Sequence, residues 1–277
     1  MYTDYMSEKN LPGINYFDYL RGMQSVVQEN GYQLLIDTIT PRQIAERQLP
    51  SMLTKGYVEG IIYNGLVNID YLTFFVEKCP NTVVLGRADD LKLQQVETDN
   101  YYGGELVAEY LWKLGHRHFA IMSGVEKNVV LAQRQTGFEE TLARLSGGDC
   151  RIDVLRADYW KMDGGSREIA AFWQKSGTLP TAVFGLNDHL ALNVLIKLKE
   201  MGVKVPETVS VIGFDNVDKG TVVTPHLSTI SIPRVEIGQL AAEKMIALLS
   251  GRITQKHETS LLKPTLIKRN SCRALMA

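Results

Sequence analysis

Apolar residues recur along the chain with two alternating periods. Helical spacing fills roughly 16–30, 41–55, 68–78, 100–114, 128–145, 163–175, 188–201 and 234–250. Between them stand short apolar runs of strand character: "YQLLIDT" (32–38), "EGIIYNG" (59–65), "NTVVLGR" (81–87), "HFAIMSG" (118–124), "DVLRA" (153–157), "TAVFGLN" (181–187) and "VSVIGF" (209–214). In 188–201, Leu190, Ala191, Val194, Leu195 and Leu198 form one stripe, while Lys197, Lys199 and Glu200 spread over the remaining surface. Gly31, Gly115 and Gly202 follow three helical stretches, where a chain leaving a helix turns left-handed. Pro80, Pro180 and Pro206 precede strands, at points where a helix cannot continue. Alternating strands and helices predict parallel sheets covered on both faces. Seven strands are many for one sheet, so the expectation is an α/β fold of two doubly wound parallel-sheet lobes. Ligands of such sheets sit beyond the carboxyl ends of the strands. Asn64, Arg87, Ser123, Asn187 and Asp215, which end the apolar runs, are therefore the candidates.

Composition narrows the classes. The 277 residues are 45% hydrophobic and 22% charged, ordinary for about two globular domains. Thirty basic against thirty-one acidic residues leave a formal charge of −1, which gives no broad attraction to nucleic acid or to membranes. Cys79, Cys150 and Cys272 form no Cys-x-x-Cys pair, and the five histidines no His-x-x-x-His. Neither a disulfide framework nor a zinc site is expected, and no metal or cofactor. No apolar run is long enough to span a membrane, and "MYTDYMSEKN" has no apolar stretch for export, so the expected location is cytoplasmic. Without a Gly-x-Ser-x-Gly elbow or a nucleophile–base pair at the strand ends, no catalytic residue is assigned and no enzyme is expected.

Several residues carry two readings. Asn100 reads as the cap of the helix that follows, and Gly103–Gly104 as close helix–sheet contact rather than a phosphate cradle. Arg134 offers a planar fork for paired oxygens but, taken alone, reads as a surface helix residue. Asp188 could cap its helix and leave Asn187 pointing into a cleft. The pairs Tyr16–Phe17 and Tyr159–Trp160 are either core or stacking surfaces for a ligand.

The ordered set of segments carries more than any one of them. "VETDNYYGGELVAEYLWKLGHRHFAIMSG", "RQTGFEETL", "PTAVFGLNDHLALNVLIKLKEMGVKVPETVSVIGFDN", "TPHLSTISIPRVEIGQLAAEKMIALLSG" and "LLKPTLIKRNSC" resemble, in order and spacing, the effector-binding core of the LacI/GalR transcription regulators. The resemblance implies a periplasmic-binding-protein-like core whose chain crosses between lobes three times, near Asp99, near Ser228–Thr229 and after Gly251. The lobes would then be 1–98 with 229–251, and 99–228 with 252–277. It implies effector contacts from Arg134, Asn187 and Asp215. Tyr16 and Phe17 would lie over the ligand, and Tyr159, or Trp160 if the loop shifts by one, would form the facing aromatic wall. The partners implied are a small effector such as a sugar or sugar derivative, a second copy in a homodimer, and operator DNA. The DNA would be reached through an N-terminal helix-turn-helix absent from this sequence, which agrees with the near-neutral charge.

"MYTDY" looks like only the end of the family's first strand, so the natural chain is expected to extend upstream or to have been trimmed. "MSEKNLPGIN" (6–15) makes a longer first loop than the family's short turn, so the ligand of better-known members does not transfer. The alternative, a stand-alone periplasmic-type sugar-binding protein for uptake, would need an export signal.

Overall fold

The computed structural model describes residues 2–5, 16–64, 69–89, 91–124, 128–158 and 163–275, the first of these segments by its backbone. The chain divides into two compact units, Met1–Thr98 with Pro233–Leu262, and Asp99–Ile232 with Lys263–Ala277. Strands are numbered β1 to β12 and helices α1 to α9 along the whole chain.

The first unit contains β1 (Tyr2–Tyr5), β2 (Ile36–Ile39), β3 (Ile61–Asn64), β4 (Thr82–Leu85), β5 (Gln94–Thr98) and β11 (Glu258–Leu262). They form one sheet in the order β11-β5-β4-β3-β1-β2, every pair parallel. Ile61, Val84 and Ile39 pack with Tyr63, Tyr71, Leu72 and Phe75 into the core, the last three from α4 (Ile69–Lys78). Helices α1 (Tyr16–Glu29) and α9 (Arg234–Leu249) lie against each other at glycine: a Cβ on Gly22 would fall 2.0 Å from the Val235 carbonyl oxygen. The expected single helix over 41–55 is two short ones, α2 (Pro41–Ala45) and α3 (Ser51–Thr54). Arg47 turns left-handed between them at φ 49°, and Pro50, whose nitrogen carries no hydrogen, stands at the cap of the second.

The second unit contains β6 (His118–Gly124), β7 (Arg151–Ala157), β8 (Ala182–Gly185) and β9 (Ser210–Ile212), parallel in the order β7-β6-β8-β9. Around them are α5 (Asn100–Lys113), α6 (Val129–Ser146), α7 (Ser166–Ser176) and α8 (Asp188–Glu200). The core joins Phe119 and Ile121 of β6, Phe184 of β8, Phe138 of α6 and the Leu190–Leu198 stripe of α8. A two-stranded antiparallel piece, β10 (Thr229–Ser231) with β12 (Thr265–Ile267), completes the unit. Both units are thus α/β layers built on parallel sheets.

Backbone pairing moves two of the expected crossings. Residues 229–232 stay with the second unit because β10 bonds to β12, and 252–262 belong to the first because β11 bonds to β5. Strand β5 is absent from the hydrophobic pattern because its first residues are glutamines. Both are buried and satisfied: Gln95 exchanges hydrogen bonds with the backbone of Ala88 at 2.8 and 3.1 Å, and Gln94 accepts from Lys244 Nζ at 2.8 Å. Among the described residues no helix is long and apolar enough to cross a membrane.

His116 is fully buried beside the start of β6, with Nδ1 3.1 Å from the Thr181 hydroxyl. Desolvation pushes its imidazole down to about 4, from 6.5. Between these values the unfolded chain binds a proton that the folded chain refuses. The neutral ring's contribution is therefore fully present above pH 6.5 and is lost as the pH falls through 4, by about 3 kcal/mol at the lower end. Urea unfolding followed from pH 7 to 4 should show this decline, and His116→Gln should flatten it. An unchanged slope in the variant would contradict the assignment.

Candidate functional site

The second unit gathers polar groups where β8 and β9 end. Their placement begins with two helices that touch. A Cβ on Gly104 of α5 would lie 2.2 Å from the Arg134 carbonyl oxygen, and one on Gly137 of α6 would lie 2.1 Å from that of Tyr101. Gly104 thus serves helix–helix contact, where the sequence suggested helix–sheet contact, while its neighbour Gly103 lies against the Phe214 ring just past β9. The close crossing brings Arg134, one turn before Gly137, into the interior.

Arg134 is 5% exposed, so the surface reading of this residue is corrected. Each of its three nitrogens has a partner. Nε donates to Asn100 Oδ1 at 3.0 Å, Nη1 donates to the Leu186 carbonyl at 2.7 Å, and Nη2 lies 3.1 Å from Asp215 Oδ1. The flat face of the guanidinium rests on the buried Phe214 ring, 3.7 Å from its centroid. A guanidinium enclosed without partners would be several kcal/mol unfavourable; this one is paired along its edge and stacked on its face. Asn100 is used in that pairing, and the helix cap is Asp99, whose Oδ1 accepts from Tyr102 N at 2.9 Å.

Asp215 sits in a turn that most residues would avoid. Its φ is 111° and that of Asn216 is 53°. Such backbone costs on the order of 1–3 kcal/mol per residue and persists only where neighbours over-determine it. Asp188 does much of this. It is fully buried; Oδ2 accepts from Val217 N at 2.8 Å, Oδ1 accepts from the Thr229 hydroxyl at 2.6 Å, and its own N–H donates to Phe214 O at 2.7 Å. Asp215 N donates to Ile230 O at 2.9 Å, and Arg269 Nη2 to Asn216 Oδ1 at 2.6 Å. Burial, with the Asp215 charge nearby, raises the Asp188 carboxyl to about 7, against the lowering pull of its two donors and of Arg269.

Asn187 is the cap of α8, its Oδ1 accepting from Leu190 N at 2.8 Å. Asn187 and Asp188 thus exchange the roles suggested by sequence. The amide nitrogen of half-buried Asn187 has no hydrogen-bond partner among the described residues, so it retains a donor beside Leu186, whose carbonyl holds Arg134. Arg134, Asn187 and Asp215 therefore lie on one edge of the second unit. Tyr16 and Phe17 open α1 in the first unit, Tyr16 half-buried and Phe17 80% exposed. Tyr159 and Trp160 lie outside the described residues. The sequence reading missed Phe214 as the platform, Asn100 as the partner of Nε, and Asp188 as the anchor of the turn. The abrupt "GFDN" ending of a buried strand was the available signal for the first and last of these.

Residues 108–272 match the family described as the periplasmic binding protein-like domain. The chain is 29% identical over 266 residues to the HTH-type transcriptional repressor CytR of Escherichia coli (strain K12), covering 93% of this chain and 75% of that protein. It is 26% identical over 272 residues to the HTH-type transcriptional repressor PurR of Vibrio parahaemolyticus, covering 93% and 77%. A LacI family transcriptional regulator from Enterococcus faecium, solved with bound ribose, has the same fold, with TM-score 0.80 and 24% identity over 100% of each chain.

Removing the guanidinium takes a donor from Asp215, Asn100 and the Leu186 carbonyl together. Arg134→Ala should lower the stability to urea by about 3–5 kcal/mol, and Arg134→Lys should restore only a minor part, because an ammonium cannot reach three divergent acceptors. A variant as stable as the parent would show that the network carries no stability.

Proposed function

The chain belongs to the periplasmic binding protein-like domain family and is the ligand-sensing core of a LacI-type transcription regulator; on that premise we propose that its effector is a small sugar or sugar derivative held by Asp215, Arg134 and Asn187. The observation that carries this reading is the ion pair of buried Arg134 with half-buried Asp215, the guanidinium lying on Phe214. With Oδ1 turned to Arg134, Asp215 keeps its second carboxylate oxygen for hydroxyl donors. The Arg134 guanidinium and the Asn187 amide face such a ligand as donors for hydroxyl oxygens. Adjacent hydroxyls of a sugar, each both donor and acceptor, complement such an edge. The Enterococcus faecium regulator, with its bound ribose, supports the choice of chemical class.

Tyr16 and Phe17, together with Tyr159, are proposed to supply the apolar faces against which a sugar ring stacks. An effector acts on DNA binding only through unequal affinity for two arrangements of the regulator. Reversing a 1:99 population requires about a 10⁴-fold preference. In this scheme two copies form a homodimer that matches a pseudo-palindromic operator, and a helix-turn-helix segment not contained in these 277 residues makes the DNA contacts. The core itself performs no catalysis and works in the cytoplasm.

A hydrogen bond to a charged acceptor is worth about 1.5–3 kcal/mol, roughly 10- to 100-fold in affinity. In a thermal-shift screen of sugars that includes D-ribose, the best sugar should bind at least tenfold more weakly to Asp215→Asn, whose amide keeps the shape of the turn. Undiminished affinity in that variant would remove Asp215 from the site.

A further inference from the structure

The first unit holds a buried cation, Arg234, that has no part in the proposed sugar contacts. Arg234 is the first residue of the sixteen-residue helix α9 and is 6% exposed. Its Nε is enclosed with no hydrogen-bond partner, and among the described residues the side chain makes neither a hydrogen bond nor an ion pair. The contrast with Arg134, equally buried and paired at every nitrogen, is direct.

The surroundings worsen the imbalance. The first N–H groups of a helix have no intrahelical acceptor, and Pro233 at the cap of α9 offers no side chain to them. The same end carries the positive pole of the helix dipole, which repels a cation. At the first helical position the Cα–Cβ bond tilts toward the N-terminus, the direction in which those N–H groups also point. Nearby acids are otherwise placed: Glu236 in the same turn is exposed, and Asp18 of α1 pairs with Arg21 at 3.1 Å.

Helix α1 adds a second positive end. Gly22 meets Val235, and Gly238 meets Tyr19, while Val26 and Asn30 share a groove with Leu240, Glu243 and Ala247 further along. The two helices therefore run in the same direction and begin at the same end. Since α1 follows β1, that end is the carboxyl edge of the parallel sheet, where α/β units take their ligands.

We propose that Arg234 and the first turn of α9 form a site for a small oxyanion, a phosphate or a carboxylate. The guanidinium fork matches paired anionic oxygens, and the helix N–H groups supply further donors. The anion is either free or the charged end of the effector; both present the same chemistry to these groups. The inference does not rest on the assignment of Arg134 and Asp215, and it does not require a sugar.

Thermal unfolding of the chain tests it in three arms: inorganic phosphate against chloride at matched ionic strength, D-ribose 5-phosphate, and D-ribose. Saturating phosphate or D-ribose 5-phosphate should raise the melting temperature of the parent by about 3 °C or more. Arg234→Met should lose that rise, keep any response to D-ribose, and melt no lower than the parent in chloride, because it removes an unpaired buried charge. If Arg234→Met does not fold, Arg234→Gln carries the same comparison. A rise with D-ribose 5-phosphate alone, lost in the variant, identifies the anion as part of the effector. Absence of a rise in both phosphate arms, or a rise that survives in the variant, overturns the proposal. A D-ribose response in that case leaves the sugar reading standing, and phosphate responses without any sugar response do the reverse.

Discussion

A guanidinium withdrawn from water is stabilised by partners along its edge and on its face, and the edge of the second unit where β8 and β9 end is organised by supplying them to Arg134. Its face requires an aromatic ring, which Phe214 provides, and its edge requires three acceptors, which arrive from α5, from the end of β8 and from the turn after β9. Each requirement reaches back into the sequence. Helices α5 and α6 must approach without side chains at Gly104 and Gly137, and the chain beyond Phe214 must accept two left-handed residues in succession. Both conditions oppose local preference, and both are stabilised by contacts distant in sequence.

The consequence is a charged pair whose placement is fixed by the protein's own contacts. Asp188 fixes the turn through Val217 and Thr229, and Arg269 holds Asn216, so the Asp215 carboxylate has little freedom left to lose. A ligand meeting such an edge spends little of its binding energy on immobilising side chains. On the proposed function the arrangement would also select: a guest without hydroxyls would desolvate the carboxylate with nothing in return, at about 1–3 kcal/mol for each polar group left unmatched.

Much of the scaffold was legible because burial and hydrophobicity coincide there. "HFAIMSG" and "TAVFGLN" read as apolar strands and contain β6 and β8, and the Leu190–Leu198 stripe reads as the inner face of α8. Legibility failed where polar residues are buried with partners. Gln94 and Gln95 hide β5 from any hydrophobic pattern, because their satisfaction depends on Ala88 and Lys244. The segment 41–55 kept helical periodicity through Arg47 and Pro50, where the backbone does not. The crossings near 232 and 262 follow ladder pairing between distant segments, which periodicity does not encode. At the helix starts the sequence reading gave the cap of α5 to Asn100, where Asp99 holds it, and offered Asp188 as the cap of α8, where Asn187 holds it. Either member of each pair can cap a helix; the choice is made by which one faces a buried partner.

The central claim is that the effector is gripped by the ordered Arg134–Asp215 pair. A crystal structure of the chain with the sugar that most raises its melting temperature examines this directly. Sugar hydroxyl oxygens should lie at about 2.5–3.2 Å from the Asp215 carboxylate and from the Arg134 guanidinium, with the ion pair between them retained. A sugar bound in contact with neither side chain would contradict it.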